Sequence, residues 1–234
     1  MKPPLVIAHR TAPPFAPENS LQGIRVAIEQ GADGVEIDTR MTLDQRCFLM
    51  HDNTMRRTTG WPLPLELTPA FIARRRRLES GNETVPALEE ALDALPPHFM
   101  LAADVKTPTS IIPLIRAIRR RRMQSRALIW CSSALVVRYA VAQGKGCEVA
   151  YYRDFAEPSR NIDFIAKART IGAHAVSLDW RGLDESVIAA AKHLGLRVYS
   201  WHKEHPITPE KLALGLDGII TDYPARTRSA LELM

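Results

Sequence analysis

Two carboxylates, Glu36 and Asp38, stand two residues apart in the apolar run Gly34–Thr39. Side chains with this spacing on a strand point to the same face, so the two carboxylates would lie side by side and raise each other's pKa. A shared cation relieves that repulsion, and oxygen ligands suit Mg²⁺ or Ca²⁺ better than zinc. Salt bridges to arginines explain the pair equally well, and both interpretations stay open on these residues alone.

Two histidines, His9 and His51, each follow a short strand-like run. Imidazole is the side chain best suited to move protons near neutral pH. Two imidazoles facing a metal and basic residues would suit acid/base chemistry on an anionic ester, although a single histidine at a strand end is more often structural. A His-Asp dipeptide also occurs in helical metal phosphohydrolases, but His51-Asp52 follows a strand, which disfavours that fold.

Short apolar runs that alternate with helical segments must position these groups. Predicted strands cover Leu5–Ala8, Gly34–Thr39, Cys47–His51, Met100–Asp104, Ala127–Cys131, Glu148–Tyr152, Ala175–Leu178, Arg197–Ser200 and Gly218–Thr221. Most lack strict alternation, as expected of parallel strands covered on both faces. Repeated strand–helix units, near eight in number, predict an α/β (β/α)₈ barrel, with a doubly wound sheet as the runner-up. No G-x-G-x-x-G turn follows the first strand, which disfavours the second fold.

Residues typical of helix ends support this alternation of strands and helices. Glycines at the ends of helical segments predict left-handed helix termini; they are Gly31, Gly172, Gly195 and Gly215. Asn19, with Gln22 three residues later, predicts the N-cap of the first helix.

Ionisable residues follow the predicted strands at their carboxyl ends, which meet on one face of a (β/α)₈ barrel. They are His9, Arg10, Glu36, Asp38, His51, Asp52, Asp104, Lys106 and Asp222, and Trp201 ends the seventh barrel strand. Each alone could serve a turn. Their convergence predicts an active site on that face.

Composition sets the class of protein. The chain has 234 residues, 46% hydrophobic and 24% charged, and a net charge of +5, which is typical of a globular domain. The runs Arg74–Arg77 and Arg119–Arg122 supply much of the charge, but no nucleic-acid motif or aromatic interleaving accompanies them, so we expect solvated basic faces and no nucleic-acid partner. No apolar run is long enough for a membrane span or a signal peptide, and three cysteines without paired spacing indicate reduced thiols. These features predict a cytoplasmic enzyme without stable membrane insertion.

Motifs in order along nearly the whole chain resemble the glycerophosphodiester phosphodiesterase family, in its bacterial type. The matching pieces are Ala8-His9-Arg10, Pro17-Glu18-Asn19-Ser20, Gly31 to Asp38, His51-Asp52, Arg57-Thr58-Thr59-Gly60, Val85 to Glu90, Asp104-Val105-Lys106, Trp201, and Gly218 to Pro224. The resemblance implies one barrel domain over residues 1–234, with a short insertion of about 53–84 after the second strand.

The resemblance also implies an activity: metal-dependent hydrolysis of glycerophosphodiesters to an alcohol and sn-glycerol 3-phosphate, within lipid and glycerol metabolism. By position, His9 and His51 would be the acid/base pair, and Glu36, Asp38 and Asp104 would hold Mg²⁺ or Ca²⁺. Arg10 and Lys106 would face the phosphate, Trp201 would flank the glycerol, and Glu18 would orient or neutralise Arg10. In the family mechanism the substrate's own hydroxyl attacks phosphorus, and water then opens the cyclic phosphate. A homodimer is left open.

Three departures from the family pattern affect these expectations. Thr11 stands where the family has glycine, and because a β-branched residue resists positive φ it predicts a differently built turn. Asp104 replaces a glutamate and is one methylene shorter. His202-Lys203-Glu204 replaces Thr-Val-Asn, which puts the glycerol-side specificity in question.

Two other functions remain as alternatives. One is a lysophospholipase D-like or sphingomyelinase D-like phosphodiesterase acting on lipids. The other is a catalytically weak phosphodiester-binding protein, which Thr11 and Asp104 favour but the intact His9, His51, Glu36 and Asp38 disfavour.

Overall fold

A computed structural model describes residues 3–79, 81–202 and 205–233. In these ranges nine strands form one sheet: β1 (Leu5–Ala8), β2 (Gly34–Met41), β3 (Cys47–Leu49), β4 (Met100–Val105), β5 (Ala127–Cys131), β6 (Glu148–Arg153), β7 (Ala175–Asp179), β8 (Arg197–Trp201) and β9 (Gly218–Thr221). The sheet order is β1-β9-β8-β7-β6-β5-β4-β2-β3, and β1 also pairs with β2. All pairs except β2–β3 are parallel, so eight strands close into the predicted (β/α)₈ barrel.

Helices connect the barrel strands. They are α1 (Leu21–Glu29), α2 (Arg56–Thr59), α3 (Ala70–Ala73), α4 (Leu88–Asp93), α5 (Ile111–Arg120), α6 (Ala134–Gln143), α7 (Pro158–Thr170), α8 (Glu185–His193), α9 (Pro209–Leu212) and α10 (Pro224–Glu232). Helix α5 is amphipathic and buries Ile111, Leu114, Ile115 and Ile118. Gly31 adopts φ 72° just after α1, and the other three predicted terminators also have positive φ, as helix-ending glycines require.

The N-cap of α1 differs from the prediction. Ser20, not Asn19, caps the helix, because its Oγ accepts a hydrogen bond from Gly23 N at 2.8 Å. Asn19 sits one residue earlier at φ 55°, a left-handed conformation that asparagine tolerates. Its side chain is therefore free to serve the site described below.

The barrel holds two apolar layers. Side chains such as Ile7, Leu128 and Tyr199 fill the interior of the strand cylinder. A larger layer between the strands and the helices includes Ile37, Leu101 and other fully buried residues. The interior is therefore packed, which fixes the strand ends relative to one another.

The predicted strand Cys47–His51 is shorter in the structure, covering Cys47–Leu49, and it does not run parallel to the other strands. β3 pairs antiparallel with β2, with Thr39 opposite Leu49 and Met41 opposite Cys47. The β2 strand thus extends past the barrel, turns through residues 42–46 and returns. His51 reaches the catalytic face because this hairpin folds back toward the end of β2, where Met50 N donates to Asp38 O at 3.0 Å.

The segment between β3 and α4 has a small apolar core of its own. Phe48, Met50, Met55, Leu65 and Val85 are among its buried members. This core anchors α2 and α3 to the rim of the barrel next to the hairpin. The predicted insertion of about 53–84 corresponds to this segment, in which Ser80 lies outside the described residues.

The two arginine runs are engaged locally. Arg74 pairs with Glu90 at 2.6 Å, and the Arg76 guanidinium stacks 4.4 Å from the Trp61 ring centroid. Arg121, the C-cap of α5, donates to both carboxylate oxygens of Asp93 at 2.6 and 2.9 Å. Over the described ranges, none of the helices has the length and apolar character needed to cross a membrane.

Candidate active site

A cavity of about 360 Å³ opens at the carboxyl ends of the barrel strands. Its lining is His9, Arg10, Glu36, Asp38, His51, Asp104, Lys106, Trp130, Tyr152, Asp154, Trp201 and Ile220. The structure brings eight of the nine sequence-predicted site residues to this one lining. The ninth, Glu18, lies beside Arg10 and outside the lining.

Three buried carboxylates lie close together in the lining of this cavity. Glu36, Asp38 and Asp104 each offer an oxygen within 4.8 Å of the others. The Lys106 ammonium contacts Asp104 Oδ2 at 2.6 Å and Asp38 Oδ1 at 3.2 Å. β2 and β4 supply this geometry, because Asp38 stands directly opposite Asp104 in their parallel register.

The buried site disfavours the ionised form of two of these three carboxylates. Burial, and then Asp38 and Asp104, raise the pKa of Glu36 well above its usual value. Burial raises the pKa of Asp104 to about 6, with Lys106 opposing the shift. Burial also acts to raise the pKa of Asp38, but Lys106, His51 and Arg10 outweigh it and the net pKa is lowered.

The donor set fits a hard divalent cation. Asp104 Oδ1 is buried and makes no hydrogen bond of normal geometry, and such an atom is unfavourable unless a ligand satisfies it. Carboxylate oxygens are the ligands that Mg²⁺ and Ca²⁺ take in proteins. Salt bridges to arginines were the alternative explanation of the carboxylate pair. The one that Arg10 makes is weak, since its Nε stays 3.7 Å from Asp38 Oδ2.

Asn19 holds Asp38 by two hydrogen bonds. Its Nδ2 donates to Asp38 Oδ2 at 2.8 Å, and its Oδ1 accepts from Asp38 N at 2.9 Å. The residue type and position of Asn19 predict helix capping and do not predict this role. The available signal was its place in Pro17-Glu18-Asn19-Ser20, one of the motifs that match the family.

The loop after β1 runs through three left-handed residues: Arg10 at φ 42°, Thr11 at φ 64° and Ala12 at φ 65°. The expectation that Thr11 would avoid this conformation is therefore wrong. Thr11 is fully buried, its Oγ1 accepts from Ser20 N at 3.2 Å, and α1 approaches it closely at Gly23. The resulting turn points Arg10 N at Glu36 Oε2, at 2.8 Å.

Each cavity histidine is oriented by a carboxylate. His9 Nδ1 lies 2.7 Å from Asp222 Oδ1, and His51 Nδ1 lies 2.8 Å from Asp52 Oδ1. Because a carboxylate only accepts, Nδ1 carries the hydrogen in each pair and Nε2 is left for a molecule in the cavity. Burial lowers the pKa of His51, which favours the neutral imidazole that a general base requires.

Arg40 fixes the backbone at His51. Its Nε and Nη2 donate to His51 O at 3.1 and 3.0 Å, while Nη1 donates to Glu66 Oε1 at 2.9 Å. Arg40 is 8% exposed. An arginine in a strand gives no sequence signal for such a role, which depends on the hairpin fold.

Glu18 has a different main partner from the one predicted. Arg57 donates to both Glu18 oxygens at 2.7 Å, whereas Arg10 Nη1 stays 3.7 Å from Glu18 Oε2. Arg57 also donates to Asp52 at 2.6 and 3.0 Å. Arg57 belongs to one of the motifs that match the family, but the motif alone does not predict this role.

Aromatic side chains form a wall of the cavity beside the carboxylates. Trp201 ends β8, and its ring packs edge-on against Tyr152, with the two centroids 6.0 Å apart. Trp130 and Tyr152 also line the cavity and were not predicted, because strand-end aromatics usually indicate only core packing. The wall suits the uncharged part of a substrate.

The residue after Trp201 departs from the family pattern without entering the cavity lining. His202 is 4% exposed, its Nε2 lies 2.7 Å from Thr221 Oγ1, and burial lowers its pKa. It therefore ties β8 to the end of β9. Lys203 and Glu204 lie outside the described residues.

Imidazoles, carboxylates and cations that meet at the mouth of a (β/α)₈ barrel are suited to an enzyme acting on an anionic ester. The profile of the glycerophosphoryl diester phosphodiesterase family matches residues 9–129. This chain belongs to that family and is a phosphoric diester hydrolase.

Relatives and solved structures agree over nearly the whole chain. A glycerophosphodiester phosphodiesterase of Caldanaerobacter subterraneus subsp. tengcongensis is 26% identical over 238 residues, covering 94% of each chain. One from Bacillus altitudinis is 26% identical over 246 residues, covering 98% of each. The fold matches an Oleispira antarctica phosphodiesterase solved with the product sn-glycerol 3-phosphate, with a TM-score of 0.84, 23% identity and coverage of 98% of this chain and 97% of that one.

Proposed function

We propose that this chain hydrolyses glycerophosphodiesters to an alcohol and sn-glycerol 3-phosphate. The observation that carries the proposal is one cavity in which two carboxylate-oriented imidazoles face three buried carboxylates and two cationic side chains. Family membership selects phosphodiesters among anionic esters.

His9 and His51 are the acid/base pair in this proposal. In the first step a hydroxyl of the substrate attacks phosphorus, the new P–O bond forms, and the bond to the leaving alcohol breaks. One histidine takes the hydroxyl proton and the other gives a proton to the leaving oxygen. Water then opens the cyclic phosphate with the two proton transfers reversed. The Nε2 atom of each ring is available for this because Nδ1 is held by Asp222 or Asp52.

Arg10 and Lys106 bind the phosphate, and Trp201 flanks the glycerol. Arg10 offers a planar fork to two phosphoryl oxygens, and Lys106 adds a point charge from the end of β4. Glu36, Asp38 and Asp104 would hold a divalent cation, Mg²⁺ or Ca²⁺, which would stabilise negative charge on the phosphoryl oxygens. Support comes from the oxygen-only donor set and the unsatisfied Asp104 Oδ1.

We propose that residues 1–234 act as one barrel domain in the cytoplasm. The cysteines support this compartment, since Cys47, Cys131 and Cys147 are all free and buried, as is common for thiols in a reducing environment. Burial raises the pKa of Cys131 and of Cys147 to about 11 in each case, so neither is set up as a reactive thiolate.

A substrate panel tests this function. Purified chain is assayed on glycerophosphocholine, lysophosphatidylcholine and sphingomyelin, with added Mg²⁺ or Ca²⁺ and with chelator. We expect release of sn-glycerol 3-phosphate from glycerophosphocholine that depends on the ion. Hydrolysis of the lipids alone would indicate the phospholipase D-like alternative, and binding without hydrolysis would indicate a phosphodiester-binding protein.

A further inference from the structure

Arg57 bridges two carboxylates that serve different parts of the cavity. Its Nε and Nη2 donate to Asp52 at 2.6 and 3.0 Å, and its Nη1 and Nη2 donate to the two oxygens of Glu18 at 2.7 Å each. One planar guanidinium therefore engages both groups by forked hydrogen bonds, the geometry in which arginine binds carboxylates most strongly.

On one side, Arg57 acts through Asp52 on His51. Asp52 Oδ1 lies 2.8 Å from His51 Nδ1. The hydrogen bonds from Arg57, together with that from His51, hold the pKa of Asp52 far below its usual value even though its partial burial opposes this. An ionised Asp52 can only accept, so the hydrogen of His51 stays on Nδ1 and the ring is held at a fixed angle.

On the other side, Arg57 competes with Arg10 for Glu18. Both Glu18 oxygens are already bound to Arg57, and Arg10 Nη1 remains at 3.7 Å. Arg10 lines the cavity and Glu18 does not. If Arg57 were removed, Glu18 would be left with Arg10 as its nearest cation and would draw that guanidinium away from an incoming phosphate.

The helix that carries Arg57 is anchored independently of this side chain. Met55 is fully buried, Thr58 is 9% exposed and contacts Met50 Sδ at 3.3 Å, and the Arg57 side chain is 50% exposed. A substitution at Arg57 therefore leaves the small core beneath α2 in place.

We propose that Arg57 is a positioning residue that orients His51 through Asp52 and keeps Arg10 available for phosphate by occupying Glu18. The inference rests on the function proposed above. Through Arg57, the insertion positions both the acid/base group His51 and the anion-binding group Arg10.

The test compares Arg57→Ala with Arg56→Ala, a matched control that removes the same charge from the neighbouring exposed position of α2. With glycerophosphocholine and saturating Mg²⁺ or Ca²⁺, we expect Arg57→Ala to lower kcat about tenfold or more and to raise KM about tenfold, because misplaced catalytic groups lose rate steeply. Arg56→Ala should stay within about twofold of wild type in both constants.

A second variant separates positioning from a merely structural role. Adding Glu18→Gln to Arg57→Ala removes the charge that would capture Arg10, so we expect KM to return toward the wild-type value while kcat stays low. A double variant that keeps the KM of Arg57→Ala would overturn the inference. Should Arg57→Ala fail to fold, Arg57→Lys takes its place, since one ammonium cannot fork to both carboxylates, and wild-type constants for it would overturn the inference.

Failure of the inference and of the proposed function are distinguishable. Wild-type chain inactive on glycerophosphocholine would overturn both. Active wild type with Arg57→Ala matching Arg56→Ala would overturn the inference alone.

Discussion

His9 and His51 are held through the same ring atom, Nδ1, by carboxylates from distant parts of the chain. Asp222 follows β9 and Asp52 follows β3, yet both leave Nε2 for the cavity. This shared arrangement is what a pair of groups needs to exchange the roles of acid and base.

We predict that His9→Ala and His51→Ala each lower kcat by about 10²-fold or more, the scale of lost general acid/base catalysis. The double variant should lose less than the two effects combined, because the pair acts as a unit. Steady-state kinetics on glycerophosphocholine measure both effects. His193→Ala is the control, at the exposed end of α8, and a loss there as large as in the pair would misplace the site.

Asn19 gives a prediction about metal affinity rather than turnover. Asn19→Gly keeps the backbone compatible with φ 55° but removes both hydrogen bonds to Asp38. Loss of such a supporting contact typically weakens metal binding by about 10–100-fold, and calorimetric titration with Mg²⁺ or Ca²⁺ measures it. Gln45→Gly is the matched control, since Gln45 has φ 60° at the exposed hairpin turn. Equal affinity in the two variants would contradict the role of Asn19.

Asn19 also shows which features of the site the sequence does not predict. Residue type and order place His9, Glu36 and Asp38 on the catalytic face, because strand ends in a barrel converge. Asn19 precedes a helix and is a residue type common at N-caps. Only the folded structure, in which this loop lies against β2, shows that it binds Asp38. Glu18 is another such case, because its pairing with Arg57 depends on where the insertion folds back.

At the scale of elements, the contact between α1 and the loop after β1 sets the position of Arg10. Gly23 approaches Thr11 so closely that a Cβ would collide with the Thr11 carbonyl and side chain. The glycine is therefore required by the packing of the helix against a left-handed loop.

We predict that Gly23→Ala destabilises the fold by about 1–3 kcal/mol, as overpacking does, and also lowers kcat/KM, because it displaces the loop that carries His9 and Arg10. Gly31→Ala is the control. No atom lies within 4 Å of a Cβ there, so its cost is about 1–2 kcal/mol of backbone strain at positive φ, with kcat/KM unchanged. Thermal denaturation and steady-state kinetics on both variants measure these effects. A Gly23→Ala enzyme with wild-type kcat/KM would refute the link between helix packing and the position of Arg10.

The hairpin explains why one predicted strand had the wrong direction. Cys47–Leu49 is as apolar as the barrel strands, since it is buried against β2 and the small core of the insertion. Hydrophobic pattern reports burial and does not report strand direction. The short connection of residues 42–46 is the feature that requires an antiparallel return, because parallel neighbours need a long crossover.

At the scale of the whole molecule, the barrel brings together carboxylates from two strands that would repel one another little if they lay apart. Three carboxylates from β2 and β4 are buried together, and Lys106 with Arg10 neutralises them only in part. A bound divalent cation should therefore stabilise the entire fold.

We predict that saturating Mg²⁺ or Ca²⁺ raises the melting temperature, since a ligand at 100 times its Kd adds about 2.7 kcal/mol of stability. Asp38→Asn should lose most of this shift, whereas Glu29→Gln, at the end of α1, should retain it. Differential scanning calorimetry with and without the ion measures the effect. An undiminished shift in Asp38→Asn would place the cation elsewhere.

The most direct test of the central claim is the rate of sn-glycerol 3-phosphate release from glycerophosphocholine as Mg²⁺ or Ca²⁺ is returned to metal-stripped enzyme. A site built from Glu36, Asp38 and Asp104 predicts negligible release without the ion and a saturable return of activity with it. It also predicts no such return in a folded Glu36→Gln variant. Full activity of the stripped enzyme in excess chelator would contradict the account.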